Sequence, residues 1–138
     1  MELRKSFSTG VSRDDAVARL CNDETLLRLL PGDTQIVASD GDRRTTRTSY
    51  SALGQSGVAT FHFTYLMDGN VHFEKVCDGK VWKKLEGRVD VEEDGAGSRV
   101  HVEMDGRTKT FVPEIAIKIP FEEQMQTMLD ALKELLEA

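Results

Sequence analysis

Apolar and polar positions alternate at the start of the chain, with Leu3, Lys5 and Phe7 set against Arg4, Ser6 and Ser8, which predicts a first strand ending at Gly10. The period then becomes helical. Ser12, with Asp15 three places later, forms a capping-box-like start, and Val17, Leu20 and Cys21 follow on one helical face. Asp23 is placed to cap a second short helix carrying Leu26, Leu27, Leu29 and Leu30, which Pro31 and Gly32 stop. From Asp33 to about Thr110 the period returns to two. This stretch is broken by turns at Asp40-Gly41, Asp68-Gly69, Asp78-Gly79 and Gly95-Ala96-Gly97. Connections this short leave no room for crossover helices, so an antiparallel meander is expected.

Alternation also assigns faces. Ala59, Phe61, Phe63, Tyr65 and Met67 share one side, Thr60, His62 and Thr64 the other, and Val71, Phe73 and Cys77 repeat the pattern on the next strand. A three-residue loop Asp68–Asn70 would oppose Met67 to Val71 and Tyr65 to Phe73, whereas a two-residue loop would set Phe63 against Glu74, so the longer loop is preferred. Val89 and Val91 are expected to pair with Val102 and Val100. Near the C-terminus, Pro120 suits a first helical position and Glu122 and Glu123 suit the helix dipole. Phe121, Met125, Met128, Leu129, Leu132 and Leu136 then form one amphipathic stripe. The large apolar surface available to cover it is the inner face of the sheet. The expected fold is therefore α+β: a curved antiparallel sheet of about six or seven strands around a long C-terminal helix, with two short helices after the first strand. Residues 114–119 are open to two readings, a strand from the alternation of Ile115, Ile117 and Ile119, or a kinked helix.

A length of 138 residues fits one domain, 1–138, with a core that needs no disulfide or metal. Hydrophobic residues at 39% and charged residues at 30% are ordinary for a soluble globular protein. A net charge of −6 and a pI near 5.1 argue against nucleic acid as a partner. The basic run Arg43, Arg44 and Arg47 reads as a solvated strand. Cys21 and Cys77 lack redox or zinc spacing and are expected to be buried free thiols. Charges at Glu2, Arg4 and Lys5 interrupt any signal-peptide core, which with the free thiols suggests the cytoplasm.

The order strand, two short helices, meander, long helix resembles the START-like or SRPBCC superfamily, whose helix-grip fold encloses a deep apolar cavity. The run Asn22-Asp23-Glu24-Thr25-Leu26-Leu27-Arg28-Leu29-Leu30-Pro31-Gly32 is similar to that of the carbon monoxide dehydrogenase G-like proteins, and Gly57-Val58-Ala59-Thr60-Phe61 is a weaker echo. The architecture covers almost the whole chain and the residue-level match mainly its first third. The charged C-terminal helix departs from the pattern.

Candidate chemistry is sparse. His62, His72 and His101 are all predicted to point away from the apolar face, and no spacing gathers them around a metal. Glu92, Glu93 and Asp94 lie at a turn, and Gly95-Ala96-Gly97 lacks the pattern of a phosphate loop. No cofactor is indicated. What remains is an apolar surface of Tyr50, Phe61, Phe63, Tyr65 and Phe73 from strands with Met125, Met128 and Leu129 from the helix. This surface is either an ordinary core or, as the resemblance implies, the lining of a ligand cavity. Lys75 and Lys83 share the parity of inward residues, so they either sit at a cavity mouth or are turned outward by a bulge near Asp78-Gly79, the preferred reading.

The leading expectation is binding or carriage of an apolar small molecule, such as a lipid, quinone or polyketide-like compound, by a monomer or homodimer. The alternatives are a cyclase- or aromatase-type enzyme using Tyr50 and Tyr65 as acids or hydrogen-bond donors, and a protein-interaction module with a solid core. The helix is expected to wall the cavity and not to anchor the chain in a membrane. Residues 121–138 carry Glu122, Glu123, Asp130, Glu134 and Glu137 against Lys133 alone, a net −4.

Overall fold

The computed structural model describes residues 1–52, 55–78 and 80–138. Its elements run β1 (Glu2–Thr9), α1 (Arg13–Leu20), α2 (Asp23–Leu29), β2 (Asp33–Asp40), β3 (Arg43–Ala52), β4 (Gln55–Tyr65), β5 (Val71–Lys75), β6 (Trp82–Asp94), β7 (Gly97–Thr108) and α3 (Glu114–Glu137). The seven strands form one antiparallel sheet in the order β1-β7-β6-β5-β4-β3-β2. The meander supplies every neighbour except β1, which returns to pair with β7.

Local signals act as the sequence predicts at several points. The Ser12 hydroxyl accepts from Asp15 N at 3.3 Å, which caps α1. Val89 pairs with Val102 and Val91 with Val100, across a two-residue turn at Gly95-Ala96 where Gly95 has φ +59°. At α2 the cap is Asn22, not Asp23: Asn22 Oδ1 accepts from Glu24 N at 3.0 Å, and Asp23 becomes the first helical residue, free to bond elsewhere.

The β4–β5 hairpin departs from expectation by two residues. Tyr65 faces Val71 and Phe63 faces Phe73, so the connection is Leu66–Asn70 and Met67 is fully exposed instead of lying against Val71. Inside the loop, Leu66 N donates to Asn70 O at 2.9 Å and Gly69 N to Leu66 O at 3.0 Å, with Gly69 at φ +85°. Distant elements hold it there, because Arg13 of α1 donates to Asp68 O at 2.8 Å and Val91 N of β6 donates to Asn70 Oδ1 at 3.2 Å. The hairpin's own sequence carries neither contact.

The C-terminal helix starts six residues earlier than the position suggested by Pro120. Residues 114–119 are helical, Pro113 precedes them, and Pro120 lies inside α3. The helix runs alongside β1. Met1 is 3.8 Å from Glu114, Lys5 donates to Gln126 at 2.9 Å, and Thr9 donates to Glu137 at 2.8 Å. Phe121, Met125, Met128, Leu129, Leu132 and Leu136 are all buried, joining Leu20, Leu26 and Leu29 of the short helices and Phe61, Phe63, Phe73, Val89 and Val100 of the sheet in one continuous cluster. Among the described residues, no helix is long and apolar enough to cross a membrane.

Candidate functional site

The layer between the sheet and α3 gathers most of the residues predicted to line a site. Phe61, Phe63, Phe73, Met125, Met128 and Leu129 are buried in one cluster, and Phe63 packs between Phe61 and Phe73 with ring centroids 6.0 and 5.9 Å away. Tyr65 is half-buried at its edge. Tyr50 is not part of it: it is 42% exposed, and its ring lies over Gly57, its partner across β3 and β4, where an added Cβ would stand 2.6 Å from the hydroxyl.

Open grooves lie at the surface of the described residues. One, of about 370 Å³, is lined by Cys77, Trp82, Lys83, Lys109 and Thr110, and another, of about 510 Å³, by Asp130, Lys133, Glu134, Glu137 and Ala138. Neither is lined by the predicted residues. The smaller groove nevertheless abuts the core, because Trp82 packs on Phe121 of α3 with centroids 4.9 Å apart. Sequence reasoning missed Trp82. A register shift between Trp82 and Lys84 breaks the strand's alternation, turning Trp82 inward and leaving Lys83 and Lys84 both exposed. The expected bulge is thus present a few residues past Asp78-Gly79, whose glycine lies outside the described residues. Lys75 stays half-buried opposite Phe61 at the end of β5.

Three polar groups meet at the other edge. Tyr65 OH donates to Asp23 Oδ1 at 2.8 Å, and Arg44 Nε donates to the same carboxylate at 3.1 and 3.3 Å while its guanidinium lies 5.4 Å from the Tyr65 ring centre. Arg44 is therefore a half-buried ion-pair partner and not part of a solvated run, as its neighbours Arg43 and Arg47 are. Burial raises the Tyr65 hydroxyl pKa well above the ordinary tyrosine range. Its bond to Asp23 and that carboxylate's charge add to the rise, and Arg44 opposes it. A raised pKa in the folded state means stability that is intact below about pH 10 and lost as pH rises further. The wild type is thus expected to lose stability above about pH 10 more steeply than Tyr65→Phe, as measured by thermal unfolding across alkaline pH. Equal alkaline slopes would show that the hydroxyl is not held as described.

Thr46 is the unexpected member. It is 0% exposed on β3 opposite Phe61, and its hydroxyl has no hydrogen-bond partner among the described residues. Nearby on the strand, Thr48 is satisfied by Thr34 at 2.8 Å. The run Arg43-Arg44-Thr45-Thr46-Arg47-Thr48 hides this inward threonine row among basic residues, and its even-numbered parity was the available signal.

The remaining expectations concern side chains off this layer. His62 Nδ1 bonds Thr45 at 2.9 Å and His101 Nε2 bonds Glu92 at 2.8 Å, both on the outer face of the sheet. Cys21 and Cys77 carry free thiols, half-buried where full burial was expected, since each sits at the margin of the core next to a loop. Burial, and then the Asp68 charge, push the Cys21 thiol up, which makes it a poor nucleophile.

Solved structures with this arrangement extend over nearly the whole chain. A START superfamily protein from Mycobacterium smegmatis superposes with a TM-score of 0.78 at 21% identity, covering 99% of this chain and 97% of that one. The chain has the START-like, helix-grip fold. The same START-like fold is found in the Zhui aromatase/cyclase from Streptomyces sp. R1128, with a TM-score of 0.83 at 11% identity and coverage of 99% and 93%. It is also found in a STAR-related lipid transfer protein fragment from Xanthomonas axonopodis, with a TM-score of 0.71 at 20% identity and coverage of 99% and 86%. No protein-family model matches the sequence, and no curated protein matches it.

Proposed function

We propose that this START-like domain, spanning residues 1–138, binds or carries an apolar small molecule of the lipid, quinone or polyketide-like kind between the sheet and α3. Phe61, Phe63, Phe73, Met125, Met128 and Leu129 would touch it, with Tyr65 at the edge. The observation that carries the reading is the Thr46 hydroxyl, fully buried without a partner among the described residues. Leaving such a group unbonded costs roughly 1–3 kcal/mol, and a ligand that brings one polar atom to Thr46 would recover it. Met125 and Met128 are the side chains suited to yield to a guest, being unbranched and adaptable. The neighbours named for lipid transfer and for aromatase/cyclase activity agree with a small-molecule site in this fold. Carriage is favoured over cyclase-type catalysis because the Tyr65 hydroxyl is committed as a hydrogen-bond donor to Asp23 and is made a weaker acid by burial. The free thiols of Cys21 and Cys77 accord with a cytoplasmic setting.

Native mass spectrometry of protein purified from its own host tests the reading, together with Thr46→Val. The wild type is expected to carry a small-molecule adduct that is lost on denaturation. The ligand-free variant should be about 1 kcal/mol more stable than ligand-free wild type and retain less adduct. Protein that is ligand-free in every preparation, with a stability unchanged by Thr46→Val, would overturn the proposal.

A further inference from the structure

We infer that the end of the domain formed by the β5–β6 connection, the β7–α3 connection and the first turns of α3 docks reversibly on an anionic lipid bilayer surface. This inference stands on surface chemistry alone and does not rest on the ligand reading above.

The first observation is apolar exposure concentrated in one segment. Phe111 is 96% exposed, Ile115 85% and Ile119 66%, and Ile115 and Ile119 are one helical turn apart on the same face of α3. Val76 of the adjoining connection is 47% exposed. The two connections belong to one end of the fold, since Lys109 N donates to Val81 O at 3.0 Å and Trp82 pairs with Thr108. Ile117, between the two exposed isoleucines, is half-buried against the core and Phe121 is fully buried, so Ile115 and Ile119 lie on the side of α3 turned away from the packed cluster.

The second observation is charge. Residues 75–84 and 107–119 together carry seven Lys or Arg against Asp78 and Glu114, a net +5 in a chain of net −6, so the remainder carries −11. Lys80, Lys83, Lys109 and Lys118 are exposed, and none of the four has an ion-pair partner among the described residues. Glu122, Glu123, Asp130, Glu134 and Glu137, against Lys133 alone, follow along the rest of this 24-residue helix, which is about 36 Å long and whose far end lies beside Thr9. The molecule is thus polarised along α3, positive and apolar at one end and acidic at the other. A negative surface would orient that end toward itself.

Charge complementarity and apolar exposure together select the occupant. Phosphodiester chains would satisfy the lysines but offer no apolar layer for Ile115 and Ile119. A second copy joined through this end about a two-fold axis would set the same lysines against one another. An anionic leaflet supplies both: headgroup phosphates for the lysines, and an acyl boundary into which a phenylalanine and two isoleucines fit as in other interfacial helices.

Co-sedimentation of the full chain with phosphatidylcholine vesicles, with and without a third of phosphatidylglycerol, tests this. Binding is expected with the anionic vesicles alone, weakening as salt is raised. Phe111→Ser with Ile115→Ser should lower partitioning on the order of a hundredfold. Lys83→Gln with Lys109→Gln should lower it about twenty-five-fold, at about fivefold per lysine. Circular dichroism and thermal unfolding should show all these variants folded, since the replaced side chains face solvent, and Lys133→Gln at the acidic end should bind as the wild type does. Failure to sediment with anionic vesicles, or sedimentation unchanged by both double variants, would overturn the inference. A dimer seen by light scattering that Phe111→Ser with Ile115→Ser dissolves, without any vesicle binding, would assign the patch to a second copy of the chain instead.

Discussion

Leu132→Asp is expected to abolish the cooperative thermal transition at neutral pH, leaving no folded domain at room temperature. Leu132 is 0% exposed on α3, within the cluster that joins the helix to the sheet and to α1 and α2. The change forfeits the burial of a large aliphatic side chain, worth roughly 1.5–3 kcal/mol. It also places a carboxyl inside the apolar cluster, a cost of roughly several kcal/mol. A domain of this size has roughly 5–15 kcal/mol of stability in total, so the two losses together approach or exceed it. Lys133→Ala, at the exposed neighbouring position, should by contrast change stability by no more than about 0.5 kcal/mol. A Leu132→Asp protein that melts like the wild type would mean that α3 does not pack on the sheet.

Gly87→Ala should destabilise the domain by roughly 3 kcal/mol, at the upper end of the range for overpacking a filled core. Gly87 is buried on β6 directly opposite Phe73, and an added Cβ would lie 2.4 Å from Phe73 Cζ and 2.5 Å from the backbone oxygen of Glu103 on the next strand. The ring cannot simply swing away, because Phe63 packs on it with centroids 5.9 Å apart, and the carbonyl belongs to the β7 ladder. The glycine is therefore the recess into which Phe73 lies. Chemical denaturation of Gly87→Ala measures the loss, and Gly10→Ala, where a Cβ meets nothing within 4 Å, is the comparison. Adding Phe73→Leu to Gly87→Ala should recover part of the stability, since the two positions share one space and are not additive. A Gly87→Ala protein as stable as Gly10→Ala would show that the recess is not occupied.

Vesicle docking and small-molecule binding are separable outcomes for this chain. The first depends on Phe111, Ile115 and exposed lysines, the second on Thr46 and the buried aromatic layer, and no residue is shared between the two tests.

Much of this was legible in the order of residues. Period-two stretches interrupted by Asp-Gly and Gly-rich turns fix antiparallel strands, because a strand's side chains must alternate and short turns cannot carry a crossover. The stripe from Phe121 to Leu136 fixed which side of α3 is buried, and the valine pairs of β6 and β7 fixed their register through a two-residue turn. Six of the eight predicted site residues lie buried together for the same reason: apolar side chains at the right period have one place to go.

Only the tertiary structure decided the rest, and in each case the deciding partner lies far along the chain. The β4–β5 loop is set by Arg13 and Val91, so counting residues between Met67 and Val71 could not find it. Asp23 reads locally as a cap and becomes the anchor for Arg44 and Tyr65 because the sheet brings them over α2. Pro120 reads as a beginning, yet α3 extends back to Glu114, and this extension creates the exposed Ile115 and Ile119 that a charge count from residue 121 omits. Thr46 looks like any strand threonine until its neighbours close over it. Periodicity reports which side of an element is apolar, a property of adjacent residues. Burial, pairing and exposure depend on which distant surfaces meet, and that is set by the packing of the whole chain.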